Sequence, residues 1–445
     1  MSEPILYPSI VRPTRVRYGV LAFLGVLALV FYVDRLCIGQ AALSIQEDLE
    51  ISKDEMGWIF SAFTLAYCLF EVPTGAWSDR YGSRGVLTRI VLWWSAFTAL
   101  TGAAAGFWSL LSIRFLFGAG EAGAFPNTAR VLTRWFPPDR RGPAQGLINT
   151  LALIGGAVAP VAAAYLIKSI GWRWTFLVFA LPGLLWAVAF YWWFRDDPAE
   201  HPMVNEAERD LIMGSAPAPG GTEHPPIPWR AVVQNANVWL LGSVLACAAF
   251  NTYLFFFWYP SYLNEARGTD PITTGWLAGL VLCGGAAGAM SGGILIDWLI
   301  RRTGQRRRCR CGLGFSALAS AATLLLLGAQ TDATLLSTLW MAAGMFAINA
   351  TLANWWGAAT DVSGRHVGAL FGLMNAMGGL GAVMSPPFLG RFVQYLGSLG
   401  YEGRAQWTPA FFVYAGVLLV GAFGWLLIDT TRPVQAEAPV TSETA

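Results

Sequence analysis

Five ionisable side chains stand well inside otherwise apolar stretches of this chain, and their types and spacing could do chemistry. Asp34 and Arg35 are adjacent in "FYVDRLCIGQ", Glu71 follows "AYCLF", and Arg114 and Glu121 lie seven residues apart in "RFLFGAGEAGAFP". Seven residues is nearly two helical turns, so Arg114 and Glu121 share one helix face. A charge at membrane depth costs at least about 2.5–3.5 kcal/mol, which makes each of these a functional candidate by default. An arginine can take a carboxylate ligand through two parallel N–H donors. A carboxylate among apolar groups can be loaded and unloaded with a proton. The two acids and two arginines could also simply neutralise one another as buried ion pairs that hold helices in register.

These residues need elements that carry them through a bilayer. The 445-residue chain is 55% hydrophobic and only 13% charged, which excludes an ordinary soluble domain at about 25% charged. Abundant Gly and Trp fit close helix packing and headgroup-level anchors. A hydrocarbon core about 30 Å thick needs roughly 20 apolar residues per helix. Twelve such runs are predicted: 18–41, 57–77, 86–106, 109–132, 144–167, 174–194, 236–262, 273–296, 310–329, 333–357, 367–390 and 407–429. The fold expected is therefore all-α and integral to a membrane. Asp34 and Arg35 lie about 24–26 Å along the first span from Tyr18, in its outer half, Arg114 is expected to be shallow and Glu121 near the middle. Spans 7 to 12 hold no charge well inside, so the first half is expected to carry charge recognition and the second to supply polar and aromatic walls.

Arginines collect on one side, from Arg12, Arg15 and Arg17 through Arg134, Arg140 and Arg141 to Arg301, Arg302 and Arg306. By the positive-inside rule both termini and the 195–235 linker are cytoplasmic. The linker, rich in Pro and Gly around "GSAPAPGGTEHPPIP", reads as a connector with no core of its own. It divides the chain into a six-helix half at 1–194 and another at 236–430, with a tail at 431–445. His201, His224 and His366 fall in loops, so no metal site or histidine relay is expected at depth, and the six cysteines imply no disulfide framework. Net charge is +2, with no basic surface large enough for a nucleic acid.

The halves echo each other. "GLINTLALIGGAVAP" matches "GLMNAMGGLGAVMSP", pairing Gly146 with Gly372, Asn149 with Asn375, Gly155 with Gly381 and Pro160 with Pro386, each 226 residues apart. Gly75 and Asp79 likewise align with Gly293 and Asp297. Two six-span halves related by a parallel repeat are implied.

The loop "GAWSDRYGSR" resembles the G-x-x-x-D-R-x-G-x-R signature of the major facilitator superfamily through Gly75, Asp79, Arg80, Gly82 and Arg84. Asp79, Arg80 and Arg84, with Asp297 in the other half, then form a cytoplasmic charge latch, which Glu71 and Arg130 could join. The alternative is a topogenic basic loop. Within that superfamily, "FYVDRLCIGQAALSIQEDL", "RFLFGAGEAGAFPNTARVLTRWFPPDRRG" and "DDPAEHPMVNEAERDLI" resemble the anion:cation symporters of hexuronates, aldonates, tartrate and aromatic acids, and the vesicular organic anion transporters. The resemblance implies that Arg35 contacts the substrate carboxylate, that Tyr67 assists, and that Asp34 and Glu121, with Arg114, serve proton coupling. Asn149, Asn375 and Trp356 complete the expected substrate site, with Asn251, Tyr253, Asn349, Asn354 and Trp355 as weaker cavity residues. Ala152 and Gly379 stand where an aldonate-carrying member has Gln and Asn, which leaves a smaller or aromatic carboxylate open. Trp108, Trp276 and Trp407 read as headgroup-level anchors.

The function implied is a symporter of the bacterial inner membrane that imports an organic carboxylate with protons by alternating access. No cofactor is expected beyond the coupling proton, and the partners are a small organic anion and membrane lipid around a monomer. An exchanger or potential-driven facilitator could use the same arginine site. A non-transporting sensor or a membrane enzyme is disfavoured by the short tails and by the lack of H-E-x-x-H and G-x-S-x-G.

Overall fold

The structure, a computed structural model, describes residues 12–213, 229–363, 367–430 and 434, and excludes the side chains of 72, 75–80, 213 and 367–369. The described residues are helical, with no strand among them. The helices are α1 (Val16–Leu49), α2 (Lys53–Tyr81), α3 (Ser83–Thr101), α4 (Phe107–Glu121), α5 (Ala124–Trp135), α6 (Pro138–Trp193), α7 (Glu206–Met213) and α8 (Trp229–Gln234). They continue as α9 (Ala236–Tyr253), α10 (Tyr259–Arg267), α11 (Pro271–Thr303), α12 (Arg306–Gln330), α13 (Thr334–Ser363), α14 (Val367–Ser398) and α15 (Gly403–Leu427). Seven helical stretches among the described residues are long and apolar enough to cross a membrane. Two of the expected spans run together in α6, broken only at Gly171, whose φ of +78° is left-handed backbone that glycine adopts freely. A π-helical turn, Leu254–Trp258, joins α9 to α10.

Two bundles form, α1 to α6 and α9 to α15, because small residues let helices approach to backbone contact. Gly284, Gly288 and Gly292, spaced by four, lie against the carbonyls of Ala342, Phe346 and Ala350 and so lock α11 to α13. Gly155 packs on the Leu29 carbonyl of α1, and Gly381, its counterpart in the sequence, packs on the Ala246 carbonyl of α9. The aligned glycines thus make equivalent contacts in the two bundles.

The bundles meet at one end only among the contacts described. Gly39 abuts the backbone of the π turn, Gly57 that of Pro386 and Pro387, and Gly275 and Gly279 that of α6 at Pro160 and Ala157. Phe60 stacks on Phe257 with centroids 4.6 Å apart and meets Trp258 edge-on at 5.3 Å, and Lys53 pairs with Glu265 at 2.9 Å. Ser61 donates to the Val383 carbonyl. All these groups lie at the end of the helices away from Val16 and Leu427. At the other end Asn149, Trp356 and Asn375 are exposed, and a Cβ at Gly142, Gly146 or Gly372 would meet nothing. The bundles therefore enclose a cleft closed at one end and open at the end that carries the termini.

The first part of the linker corrects the sequence reading, because it has buried contacts of its own. Glu208, fully buried, accepts from the backbone N–H groups of Val16 and Arg17 at 3.1 and 3.2 Å, from Thr14 Oγ1 at 2.5 Å and from Arg17 Nη1 at 2.7 Å. A carboxylate from a distant segment thereby caps α1, where orphan N–H groups and the helix dipole favour negative charge. Asp196 does the same for α3, accepting from the N–H groups of Ser83 and Arg84 at 2.7 and 3.0 Å. His201 is buried edge-on between Trp135 and Trp193. Its imidazole is held below the ordinary range by burial and then by Arg195. Residues 195–213 thus tie α1, α3, α5 and α6 together, while 214–228, His224, Arg365, His366 and the tail from 435 onward lie outside the described residues. Trp407 is another correction: it is 1% exposed and donates to Glu265, so it is core and not an anchor, whereas Trp108 and Trp276 are exposed.

Glu208→Ala is expected to cost the docked segment about 1–3 kcal/mol, since it leaves two N–H donors and the partly exposed Arg17 without their acceptor. Hydrogen exchange at 12–20 and 203–213 should accelerate. His201 titrates lower docked than free, so its contribution is present above about pH 6.5 and is lost as pH falls. Exchange corrected for intrinsic rates should rise at pH 5, and His201→Gln should remove that pH dependence. Gly57→Val would drive a side chain into the Pro386 carbonyl and Pro387 Cα, which a Cβ already approaches to 2.7 and 2.8 Å. It is expected to hold the closed end apart, read as longer spin-label distances between positions 54 and 394.

Candidate functional site

The site is built on α1 at its contact with the break between α4 and α5. Pro126 lacks the N–H that would continue the helix, and the chain is interrupted at residues 122–123, directly after Glu121. Glu121, the last residue of α4, meets Arg35 of α1. Arg35 Nε and Nη2 both donate to Glu121 Oε2, at 3.1 and 3.0 Å. Arg35 is 7% exposed and Glu121 is fully buried. The guanidinium carbon lies 4.5 to 5.6 Å from the ring centres of Phe31, Tyr32, Phe63 and Tyr67, so aromatic faces replace water around the cation. Tyr253, at the start of the π turn of the other bundle, is a further electrostatic neighbour. Arg35, Tyr67 and Glu121 thus form one cluster, held between the bundles just inside the closed end.

Behind it, within the first bundle, lie two charges with unmet hydrogen-bonding capacity. Asp34 is fully buried and neither of its oxygens accepts a hydrogen bond among the described residues; Trp94, Glu121 and Arg114 are its polar neighbours. Arg114, also fully buried, has no hydrogen-bond acceptor at any guanidinium nitrogen and is covered by Phe117 and Phe63 at 4.3 and 5.3 Å. Arg114 is as enclosed as Glu121 and has Glu121 and Asp34 as charged neighbours. Glu121 Oε1 is free as well. Two acids and two arginines are thus gathered at one place, with Arg35 and Glu121 paired and Asp34 and Arg114 without hydrogen-bond partners among the described residues.

The remaining expected residues spread along the cleft. Gly156 meets the Tyr32 ring, and Ala152 and Asn149 follow on the same face toward the open end. Asn149 is exposed and accepts from Gln145 Nε2 at 3.0 Å. A Cβ at Gly379 would come within 2.6 Å of Cys68 Sγ, so no side chain fits there while the thiol holds its place; Asn375 is one turn nearer the mouth. Trp356 is exposed and packs on Phe371 at 4.7 Å. Asn354 and Trp355 are not cavity residues: Asn354 exchanges hydrogen bonds with the Arg310 backbone and guanidinium, and Trp355 Nε1 donates to the Leu241 carbonyl, both inside the second bundle. Asn251 is likewise buried and donates to the Cys247 carbonyl.

Among the expected gate residues, the side chains of Asp79 and Arg80 lie outside the described residues. Arg84 donates twice to the Tyr191 carbonyl and lies over the Tyr191 ring, which ties α3 to α6 instead of bridging the bundles. Asp297 is exposed on α11, and Arg130 lies midway along α5. Glu71 is half-buried with Arg35 as a charged neighbour, on the cleft wall. No group of three or more His, Cys, Asp or Glu that could hold a metal occurs among the described residues. A separate apolar cavity of about 470 Å³ between α2, α4 and α14 is lined by Trp58, Leu65, Phe115 and Val383 and is not part of this charge cluster.

Comparison with known proteins identifies the family. The Major Facilitator Superfamily matches residues 24–361. A probable sulfoacetate transporter of Cupriavidus necator is 30% identical over 423 residues, covering 95% of this chain and 96% of that protein. The D-galactonate transporter of Escherichia coli is 29% identical, over 94% and 96%, and the hexuronate transporter of Bacillus subtilis 28%, over 95% and 98%. In fold, the chain is similar to an inward-facing, occupied bacterial homologue of the human lysosomal transporter Spinster (TM-score 0.77, 20% identity, 93% and 97% coverage). It is also similar to a D-xylose–proton symporter (TM-score 0.70, 14% identity, 94% and 98% coverage). The chain belongs to the Major Facilitator Superfamily, and is an integral membrane transporter rather than an enzyme.

If Arg35 and Glu121 stabilise each other as drawn, Arg35→Leu alone should lower the detergent melting temperature, because it leaves a buried carboxylate unpaired at a cost of about 3–5 kcal/mol. The double variant Arg35→Leu, Glu121→Leu is expected to recover most of that loss, a non-additivity measured by a double-mutant cycle.

Proposed function

We propose that this protein is a proton-coupled symporter of the anion:cation type that brings an organic carboxylate into the cell. The observation that carries the reading is Arg35 gripped by Glu121 at the inner end of a cleft between two bundles. A substrate carboxylate can take the place of Glu121 on Arg35 with the same two donors. Once protonated, Glu121 has no charge to leave stranded. Asp34 and Arg114 hold the second acid of the relay, the proton is the coupling ion, and no other cofactor is involved. Tyr67, Asn149, Asn375 and Trp356 contact the substrate along the cleft.

The architecture in this reading is twelve spans in two six-helix halves, 1–194 and 236–430, related by a parallel repeat, joined by the 195–235 linker and followed by the 431–445 tail. The equivalent contacts of Gly155 and Gly381 support the repeat. Arginine placement supports cytoplasmic termini in a bacterial inner membrane, so the open cleft faces the cytoplasm. Rocking of the halves about the glycine contacts opens the other side, and Asp79, Arg80, Arg84, Arg130 and Asp297 close the cytoplasmic one. The protein works as a monomer. The relatives carry sulfoacetate, galactonate and hexuronate, which supports a sugar acid or small organic acid as substrate.

Purified protein in liposomes with an inward pH gradient should accumulate one of labelled hexuronates, aldonates, aldarates, sulfoacetate or aromatic acids above equilibrium. A protonophore should abolish the accumulation, and Arg35→Ala should abolish uptake. Equilibration without accumulation would instead leave Arg35 as an anion site and return Asp34 and Glu121 to structural pairing.

A further inference from the structure

The cleft holds a third carboxylate that the ion-pair cluster does not absorb. Glu71 follows Tyr67 by one turn on α2, so the two share a face with Cβ atoms about 5–6 Å apart. Tyr67 lies 4.6 Å from the Arg35 guanidinium, and Cys68, its neighbour, faces Gly379 of the opposite bundle. Cys68 is the last residue of α2 toward the open end with a described contact across the bundles. Glu71 stands just beyond it, half-exposed, with Arg35, Tyr67 and Cys68 as electrostatic neighbours and no ion-pair or hydrogen-bond partner for its carboxylate among the described residues. Arg35 is already committed to Glu121.

We infer that Glu71 is a specificity-determining residue that repels the outer end of the substrate, so that the site favours acids with a single anionic group, held by Arg35, over acids charged at both ends. The inference rests on the anion-carrier reading above. Its physics is Coulombic. A carboxylate bound to Arg35 lies roughly 6–10 Å from Glu71, where two like charges weaken binding by about 2-fold at the longer distance and an effective dielectric of about 80, and by about 100-fold at the shorter distance and about 20. A second anionic group at the far end of the substrate points toward the mouth and comes nearer still. The penalty for a doubly charged acid is therefore at least the square of that for a singly charged one. The same repulsion hastens release into the compartment on which the cleft opens.

The test is equilibrium binding to the purified full chain at low salt and pH 7.5. Labelled D-galactonate and a hexuronate serve as single-charge probes, and galactarate and sulfoacetate as double-charge probes. Glu71→Gln is expected to tighten the single-charge acid by at least about 2-fold and the double-charge acid by at least about 4-fold, with Glu71→Asp close to the parent protein. Glu71→Ser gives the same readout should the Gln variant fail to fold. Unchanged binding, weaker binding, or the same factor for both classes overturns the inference. Weaker binding would instead make Glu71 an acceptor for a substrate hydroxyl. Arg35→Ala separates the two levels: Arg35-dependent binding that ignores Glu71 sinks only this inference, whereas no Arg35-dependent binding of any probe sinks the carrier reading with it.

Discussion

A guanidinium and a carboxylate removed from water, Arg35 and Glu121, set the terms for the rest of the molecule. Burying two charges costs several kcal/mol each, offset only by close geometry and by neighbours that leave nothing unmet. Here the offset has two parts. Both donors fall on one carboxylate oxygen, and four aromatic rings surround the cation. The first requires α4 to end with Glu121 beside Arg35 of α1. The second requires Phe31 and Tyr32 on α1 and Phe63 and Tyr67 on α2 to converge on one point, which fixes how α1, α2 and α4 pack.

The same constraint divides labour between the bundles. The first carries all four of the buried central charges and is reinforced as a unit, with Glu208 and Asp196 capping α1 and α3 from the segment after α6. The second contributes neutral groups: the π turn that brings Tyr253 to the cation, and a glycine seam that locks α11 to α13. Where the bundles touch, close backbone approaches at Gly39, Gly57, Gly275 and Gly279 are joined by a few side-chain contacts such as Phe60 on Phe257 and Lys53 with Glu265. Rigid halves and a seam at one end are what a rocking motion needs.

Much of this was legible in the sequence. Asp34, Arg35, Arg114 and Glu121 stood out because charge in apolar runs is rare, and the shared spacing of Gly155 and Gly381 announced contacts the structure then showed to be equivalent. The failures have a common cause. Glu208 looked like one acid in a polar linker, because what buries it is the N-terminus of a helix nearly two hundred residues away. Trp407 sits at a span end, as an anchor would, yet packs inward, and Asn354 turns to the Arg310 backbone instead of the cavity. In each case the residue's type and depth were readable but its azimuth was not, since a helix apolar on all sides gives no periodic signal for which face meets a neighbour. Glu71 illustrates the same limit: its distance from the helix end is readable, whereas Arg35 of α1 as its neighbour follows only from how the helices pack.

The buried pair also gives a physical account of coupling under the proposed mechanism. Protonation of Glu121 without substrate leaves Arg35 as an uncompensated cation in a nearly dry site. Substrate on Arg35 without the proton leaves Glu121 as an uncompensated anion. Either half-step carries the several kcal/mol that attend an unpaired buried charge, whereas the two together exchange one neutral arrangement for another. Halves that close over the site deepen its desolvation and penalise the half-steps further. Coupling then needs no device beyond the low polarity around Arg35, and its tightness is set by how well the aromatic ring of Phe31, Tyr32, Phe63 and Tyr67 keeps water from the cation.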